Sequence, residues 1–181
     1  MKRLYFMRHS KAGQTDKHML NDHERALTKK GEELIPDLTK YFEKYYSDNP
    51  PDIILSSTAV RAKQTAALFK DNYQAVKDKN VKIEEYQELY ITGDDEVLHV
   101  IRNIDDKYNT ALIVSHNPGM HNFCLKFANE GDKDKYREMK SNFSPGSFVT
   151  FDVDVESWSS VKHETGILLD FTNAKNHKKW F

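Results

Sequence analysis

The chain of 181 residues has 27 lysines and arginines against 28 aspartates and glutamates, a formal net charge of −1. So balanced a charge argues against a scaffold that holds nucleic acid through bulk positive potential, and we expect no nucleic-acid partner. Hydrophobic residues make up 38% of the chain, enough to fill one core, so we expect a single domain over residues 1–181. The longest apolar runs are far shorter than the roughly 20 residues of a membrane helix, which predicts no membrane association through a spanning segment.

The amino-terminal segment and the cysteine content bear on the cellular compartment. The basic start is followed by the apolar run Leu4–Met7, which Arg8 interrupts before it reaches the roughly 7–15 apolar residues of a signal peptide. We therefore expect an unexported, cytoplasmic protein. The single cysteine, Cys124, permits no internal disulfide, and its apolar helical surroundings predict a buried and unreactive thiol.

Apolar runs of strand length alternate with amphipathic helical patterns along most of the chain. The runs are Leu4–Met7, Ile53–Ser56 and Ala111–Ser115. Helical patterns follow Thr28 and run over residues 62–76 and 95–106. Pro36 lies inside the first of them, so we expect that helix to kink or to begin later. The alternation predicts an α/β fold with a largely parallel sheet and helices on both faces.

The last third of the chain predicts one more helix and a hairpin. Asn117 can cap a helix in which Pro118 takes the first position. Ser147–Val155 alternates with period two, which predicts a half-buried strand whose solvent face carries Phe148, Thr150, Asp152 and Asp154. We expect it to pair with Val161–Leu169.

Two charged stretches have simple structural interpretations. Glu130–Asn142 contains many charged and few apolar residues, so it is expected to be a solvated loop or a surface helix. The basic tail Asn173–Phe181 is expected to be disordered or packed on the surface, with an anion-binding arm as the alternative.

Three predicted strands end in side chains suited to binding a phosphoryl group. Arg8-His9-Ser10 ends the first, residues 56–61 follow the second up to Arg61, and Ser115-His116-Asn117 ends the third. Because ligands bind beyond the carboxyl ends of parallel strands, we expect these residues to converge on one edge. Two guanidiniums and two imidazoles beside a helix N-terminus suit a small dianion such as a phosphoryl group. A histidine kept neutral by neighbouring arginines could attack phosphorus directly.

These residues resemble a known family. Arg8-His9-Ser10, residues 56–65 and residues 115–118 resemble, in order, the signature segments of the histidine phosphatase (phosphoglycerate mutase-like) superfamily. The block Asp22–Gly31 is similar to a segment of its small, SixA-like phosphohistidine phosphatase branch. The resemblance spans essentially the whole chain and implies a three-layer αβα sandwich with a mostly parallel central sheet.

The resemblance implies a role for each matching residue. His9 would accept the phosphoryl group, Arg8 and Arg61 would hold its oxygens, and His116 would contact them during transfer. Other candidates for substrate contact are Ser10, Lys11 and Asn117. The Lys11 and Asn117 side chains could equally be a surface charge and a helix cap.

The general acid is the least determined part of the site. Larger relatives carry a glutamate for this step in an insertion between the second and third motifs. Here 116 − 61 = 55 positions separate Arg61 from His116, which leaves room for a strand and a helix and none for a large cap. Glu88 lies where such an acid would fall, with Asp22 as the alternative. An N-phosphorylated imidazole is an activated leaving group, so no acid at all is a third possibility.

The sequence thus predicts a metal-independent phosphatase that forms a phosphohistidine intermediate on His9 and needs no cofactor. Its expected partner is a protein that bears phosphohistidine, and an open site would admit such a side chain. A small phosphorylated metabolite is the alternative substrate, and a phosphate-binding module without catalysis is the alternative function.

Metal catalysis and dehalogenase-type hydrolysis are the two other chemistries to consider. The pairs His18/His23 and His116/His121 are spaced by five, and not by the four that places two ligands on one helical face, so no catalytic metal is expected. Phe151–Val155 resembles the Asp-x-Asp-x-Val nucleophile motif of haloacid-dehalogenase-type enzymes. Only 181 − 154 = 27 residues follow it, too few for the remaining groups that those enzymes need, so a simple strand is favoured.

Overall fold

Alternating apolar side chains in the first strand divide the core into two halves. In the computed structural model, which describes residues 1–14, 21–173 and 176, Leu4 and Phe6 pack into one buried cluster while Tyr5 and Met7 pack into another. Successive side chains of a strand point to opposite faces of its sheet, so the two clusters lie on opposite faces. The strands are β1 (Lys2–Arg8), β2 (Ile53–Ser57), β3 (Lys82–Tyr86), β4 (Thr110–Ser115), β5 (Ala128–Gly131), β6 (Phe148–Val153) and β7 (Gly166–Thr172).

Within the described residues these strands form one seven-stranded sheet in the order β3-β2-β4-β1-β6-β7-β5. β1 pairs with β4, β4 with β2, β2 with β3, and β5 with β7 in parallel. β6 runs antiparallel to both of its neighbours. The mostly parallel sheet predicted from the sequence is therefore confirmed.

Helices cover both faces of the sheet. They are α1 (Lys29–Tyr46), α2 (Val60–Asn72), α3 (Gln74–Asp78), α4 (Asp94–Arg102), α5 (Gly119–Phe127) and α6 (Lys133–Ser141). The apolar faces of α1, α2 and α3 pack with Tyr5 and Met7, whereas those of α4, α5 and α6 pack with Leu4 and Phe6. This is the three-layer αβα sandwich that the resemblance implied.

The first helix differs from its prediction. It begins at Lys29, ahead of Pro36, so the later start is wrong, and the alternative, a kink at Pro36, stays a prediction. Thr28 caps it by accepting a hydrogen bond from the Gly31 N–H at 3.1 Å. Burial of apolar side chains such as Phe42 compensates for the hydrogen bond that the proline removes.

The expected cap of α5 is also wrong. The helix begins at Gly119 with Pro118 in the cap position, and the Asn117 side chain makes no capping bond. Asn117 instead donates from Nδ2 to the carbonyl oxygen of Phe143 at 2.9 Å. A residue that precedes proline is disfavoured from helical geometry, which places Asn117 outside the helix.

The predicted hairpin exists, but its first strand is more buried than expected. β6 and β7 pair antiparallel, and helices cover both faces of β6, since Phe151 packs with α5 and Phe148 packs with α1. Phe148 and Thr150, expected on the solvent face, are buried. Asp152 is also held, by the Arg3 guanidinium through two bonds of 2.6 and 2.9 Å, while Asp154 is exposed.

Other predicted features lie as follows. The charged stretch from Glu130 contains the surface helix α6, whose buried residue is Met139. Cys124 is fully buried, and burial raises the pKa of its thiol. Across residues 1–14 and 21–173, no helix combines the length and the apolar character needed to cross a bilayer. His18 and most of the tail after Asn173 lie outside the described residues.

Candidate active site

The sheet order brings the three predicted strand ends together. β4 lies between β1 and β2, and Arg8 at the end of β1 is in register with Ser115 at the end of β4. The next residue, His9, donates its backbone N–H to the Ser115 carbonyl at 3.1 Å. Ser57, at the end of β2, contacts His116. His9, Arg61 and His116 therefore form one cluster at the carboxyl edge of the sheet.

The His9 imidazole is held in one tautomer. Its Nδ1 lies 2.7 Å from the Ser10 carbonyl oxygen, which can only accept, so Nδ1 carries the hydrogen and Nε2 has the free electron pair. The Nε of Arg61 lies 3.3 Å from that Nε2. Burial, reinforced by the charges of Arg61 and Arg8, lowers the pKa of His9 to about 4. The ring is thus neutral and nucleophilic near pH 7.

His116 faces His9 across the site. The two ring centroids are 4.9 Å apart, and the Nε2 of His116 lies 2.7 Å from the Ser57 hydroxyl. Its Nδ1 is buried and has no hydrogen-bond partner among the described residues. Burial and the neighbouring His9 lower the pKa of His116 to about 3.

Arg8 is fixed by the loop before β6. Its Nη1 donates to the Phe143 carbonyl at 2.7 Å, the same oxygen that the Asn117 amide binds. The Gly146 N–H reaches the carbonyls of Arg8 and His9 at 3.2 and 3.1 Å, with Gly146 at a φ of 78°, a value that favours glycine. The Nε of Arg8 is buried with no partner among the described residues.

Arg61 is nearly fully buried, with 5% of its side chain exposed. Its Nη1 donates to the Asp22 carbonyl at 2.6 Å, and its Nη2 donates to the Asp22 carboxylate at 2.9 Å. Tyr90 and Arg25 also bind that carboxylate, at 3.0 and 2.6 Å. Burial alone would raise the pKa of Asp22, but the hydrogen bonds from Arg61 and Tyr90 outweigh it and lower the pKa.

The remaining candidates from the sequence lie at the margin of this cluster. The Ser10 hydroxyl is buried and donates to the Gly31 carbonyl at 2.7 Å, which ties the loop after His9 to the start of α1. The Lys11 side chain is exposed. Glu88 is exposed on a single 3-10 turn, Gln87–Leu89.

Sequence reasoning missed two aromatic residues of the site. The Tyr90 ring lies edge-on to both His116 and His23, with centroid distances of 5.7 and 4.7 Å, and 6.0 Å from the Arg61 guanidinium carbon. The Nε2 of His23 lies 2.9 Å from the Thr58 hydroxyl. Tyr90 comes two residues after Glu88, and His23 adjoins Asp22, so both lay within segments already singled out.

Two groups of side chains bear on the alternative chemistries. In the described part of the chain, the group of potential metal ligands that lie within 4.8 Å of one another is Asp94, Asp95 and His163, and Lys126 already pairs with Asp94. The dehalogenase-like Asp152 lies opposite Arg3, near the start of β1, whereas His9 follows its end.

Comparison with known families agrees with the sequence. Residues 4–89 match the family model described as histidine phosphatase superfamily (branch 1). This part of the chain is similar to histidine phosphatase sequences. The matched range includes His9, Asp22 and Arg61, and the resemblance read from the motifs is confirmed. No curated protein matches the chain in a sequence comparison.

Solved structures of SixA proteins share the fold. The SixA protein of Nakamurella multipartitia superposes with a TM-score of 0.77 at 21% identity, over 95% of each chain. That of Agrobacterium tumefaciens gives 0.74 at 22%, over 95% of this chain and 98% of the other. The protein histidine phosphatase SixA complexed with tungstate gives 0.74 at 17%, over 96% and 98%. These likenesses confirm the phosphoglycerate mutase-like architecture.

Proposed function

We propose that this protein is a metal-independent phosphatase that takes a phosphoryl group onto His9 and then transfers it to water. The observation that supports this most directly is the fixed tautomer of His9, whose unprotonated Nε2 accepts a hydrogen bond from the Nε of Arg61. A neutral imidazole with one nitrogen held by a carbonyl is an oriented nucleophile. Its neighbours are donors, as a phosphoryl group requires.

The proposed transfer has two steps. In the first, the Nε2–phosphorus bond forms while the bond from phosphorus to the leaving group breaks. Arg8, Arg61 and His116 bind the three oxygens. When the Ser57 hydroxyl donates to the Nε2 of His116, the neutral ring carries its hydrogen on Nδ1, which has no other partner among the described residues. In the second step, water attacks the phosphorus while the Nε2–phosphorus bond breaks, and a water proton passes to the released phosphate. His9 returns to its neutral form.

The substrate that we propose is phosphohistidine in a protein. A leaving imidazole can take a proton on its second ring nitrogen, which water reaches, so its departure as a neutral molecule requires no acid from the enzyme. Asp22 is an unsuitable acid because its bound arginines favour the carboxylate. For a phosphate ester, whose leaving group is poorer, the exposed Glu88 is the candidate donor.

An exposed apolar residue supports a protein substrate. Ile91 follows Tyr90 directly and is 83% exposed, the most exposed of the large hydrophobic side chains in the described residues. We propose that this side chain contacts the protein that carries the phosphohistidine. The SixA neighbour described as a protein histidine phosphatase, whose structure contains tungstate, supports both the substrate class and an oxyanion site.

The test compares three substrates with the purified protein: a phosphohistidine peptide, phosphoramidate and a sugar phosphate. We expect release of phosphate from the first two at much higher kcat/KM than from the third. A preference for the sugar phosphate would favour the small-metabolite alternative. Binding of inorganic phosphate without turnover of any of the three would favour a binding module.

A further inference from the structure

The two edges of the Arg61 guanidinium have different partners. At its end, Nη1 and Nη2 donate to the carbonyl and the carboxylate of Asp22, at 2.6 and 2.9 Å. Along its side, Nε donates to the Nε2 of His9 at 3.3 Å, and the second hydrogen of Nη2 lies on this same edge. Since a guanidinium is planar and its hydrogens point in fixed directions, fixing one edge fixes the other.

We propose that Asp22 is a positioning residue for the reaction. By binding the Nη1–Nη2 end of Arg61, it turns the Nε–Nη2 edge toward His9, where that edge receives the phosphoryl oxygens. The inference rests on the proposed function, because it takes Arg61 to be a ligand of the phosphoryl group. It gives Asp22 a role as a permanent acceptor, distinct from that of a proton donor.

The surroundings of Asp22 support this role. Its Oδ1 accepts from Arg25 at 2.6 Å, and its Oδ2 accepts from Tyr90 at 3.0 Å as well as from Arg61. Both oxygens are therefore held by donors, which restricts rotation of the carboxylate. The Arg61 charge is almost completely buried, and a buried charge requires a close partner of opposite sign.

Two substitutions separate positioning from acid catalysis. Asp22→Ala removes the carboxylate from Arg61, and we expect a loss of about 100-fold in kcat/KM, typical of a misplaced catalytic group. The loss should be equal for phosphoramidate and for aryl phosphates of increasing leaving-group pKa. Asp22→Asn keeps an oxygen acceptor, and since a neutral bond is about half as strong as a charge-assisted one, we expect a loss of about tenfold or less.

The matched control is Glu24→Gln, which removes the same charge from the same turn. Glu24 binds His23 and does not contact Arg61, so kcat/KM should stay at the wild-type value. Tungstate affinity gives a second readout. Loss of positioning weakens tungstate binding by Asp22→Ala, whereas loss of a general acid leaves it unchanged, or strengthens it by removing a negative charge.

The proposal is overturned if Asp22→Ala and Asp22→Asn are equally impaired, with a loss that grows with leaving-group pKa. A readout without turnover is hydrogen exchange of the Arg61 Nε–H, followed by NMR. We expect faster exchange in Asp22→Ala, with the wild-type rate in Glu24→Gln. If the exchange rate in Asp22→Ala is unchanged, the positioning role is overturned. If the exchange is faster in Asp22→Ala but the wild-type protein turns over no phosphorylated substrate, only the proposed reaction is overturned.

Discussion

The imidazole rings of His9 and His116 lie with their centroids 4.9 Å apart and their planes tilted by 53°. Two protonated rings so close would repel each other, and both are buried beside arginines. The neutral state of the pair follows from this placement. One ring can then act as nucleophile while the other donates from Nδ1 to the substrate.

The histidine pair predicts an unusual pH dependence. Burial, with the arginine charges, lowers the pKa of His9 from 6.5 to about 4, and burial with the neighbouring His9 lowers that of His116 to about 3. Both rings should stay neutral down to pH 5, so the nucleophile is lost only as pH falls through about 4. NMR titration of the ring carbons would check this; a His9 midpoint near 6.5 would contradict it.

The same shifts predict a loss of stability in acid. As pH drops from 6.5 to 4, these histidines take up protons in the unfolded chain but stay neutral in the folded protein, so we expect the free energy of unfolding to decrease over this range.

Replacing Gly31 should disturb the loop after His9. A Cβ at this position would lie 2.2 Å from the Lys11 carbonyl oxygen, a backbone atom that can move only with the loop. We expect Gly31→Ala to lower kcat/KM for phosphoramidate by about 100-fold through displacement of His9. Gly13→Ala is the control, since its Cβ would meet its nearest neighbour at 3.9 Å. Equal activity of the two variants would mean that the loop does not position His9.

A charge at Ile91 should separate protein substrates from small ones. Ile91→Glu places a carboxylate on the exposed rim next to Tyr90. We expect kcat/KM to fall by about tenfold or more for a phosphohistidine-bearing protein, through loss of an apolar contact, while phosphoramidate turnover is unchanged. Tyr45→Glu is the control, as Tyr45 is 54% exposed near the end of α1. Equal effects on both substrates would remove the argument for a protein-binding rim.

Chelation tests the absence of metal chemistry. The groups around His9 are arginines and imidazoles, and the Asp152 that a dehalogenase-type reaction would use is bound by Arg3 instead. We expect the rate of phosphate release to be the same with and without EDTA. If EDTA abolished the activity and Mg²⁺ restored it, the result would favour a dehalogenase-type reaction instead.

The sequence predicted the parts of this molecule that depend on local pattern. The runs around Phe6, Leu55 and Ile113 are continuous and apolar because strands at the centre of a parallel sheet are buried on both faces. The topology rule for such sheets then placed Arg8, His9 and His116 at one edge. The alternating pattern over Ser147–Val155 predicts a half-exposed strand, and this is wrong for Phe148 and Thr150, because the pattern does not reveal that helices cover both faces.

Contacts between distant segments could not be predicted in the same way. Tyr90 reaches Asp22 and His116 only because the turn after β3 lies beside the end of β4 and the segment before α1. β3 itself has exposed and half-buried residues at the sheet edge, so its pattern is weak. The local sequence, an asparagine before a proline and a helical pattern, predicts that Asn117 caps a helix. Only the fold shows that Asn117 and Arg8 both bind the Phe143 carbonyl.

The most direct test is to detect the phosphorylated intermediate. Protein mixed with ³²P-labelled phosphoramidate is quenched in alkali, and the attached label is then followed in alkali and in acid. We predict a label that survives alkali, is lost in acid and maps to His9. The control variant His99→Ala, which changes an exposed histidine of α4, should still be labelled. A label on another residue, or turnover by His9→Ala at the wild-type rate, would contradict the account.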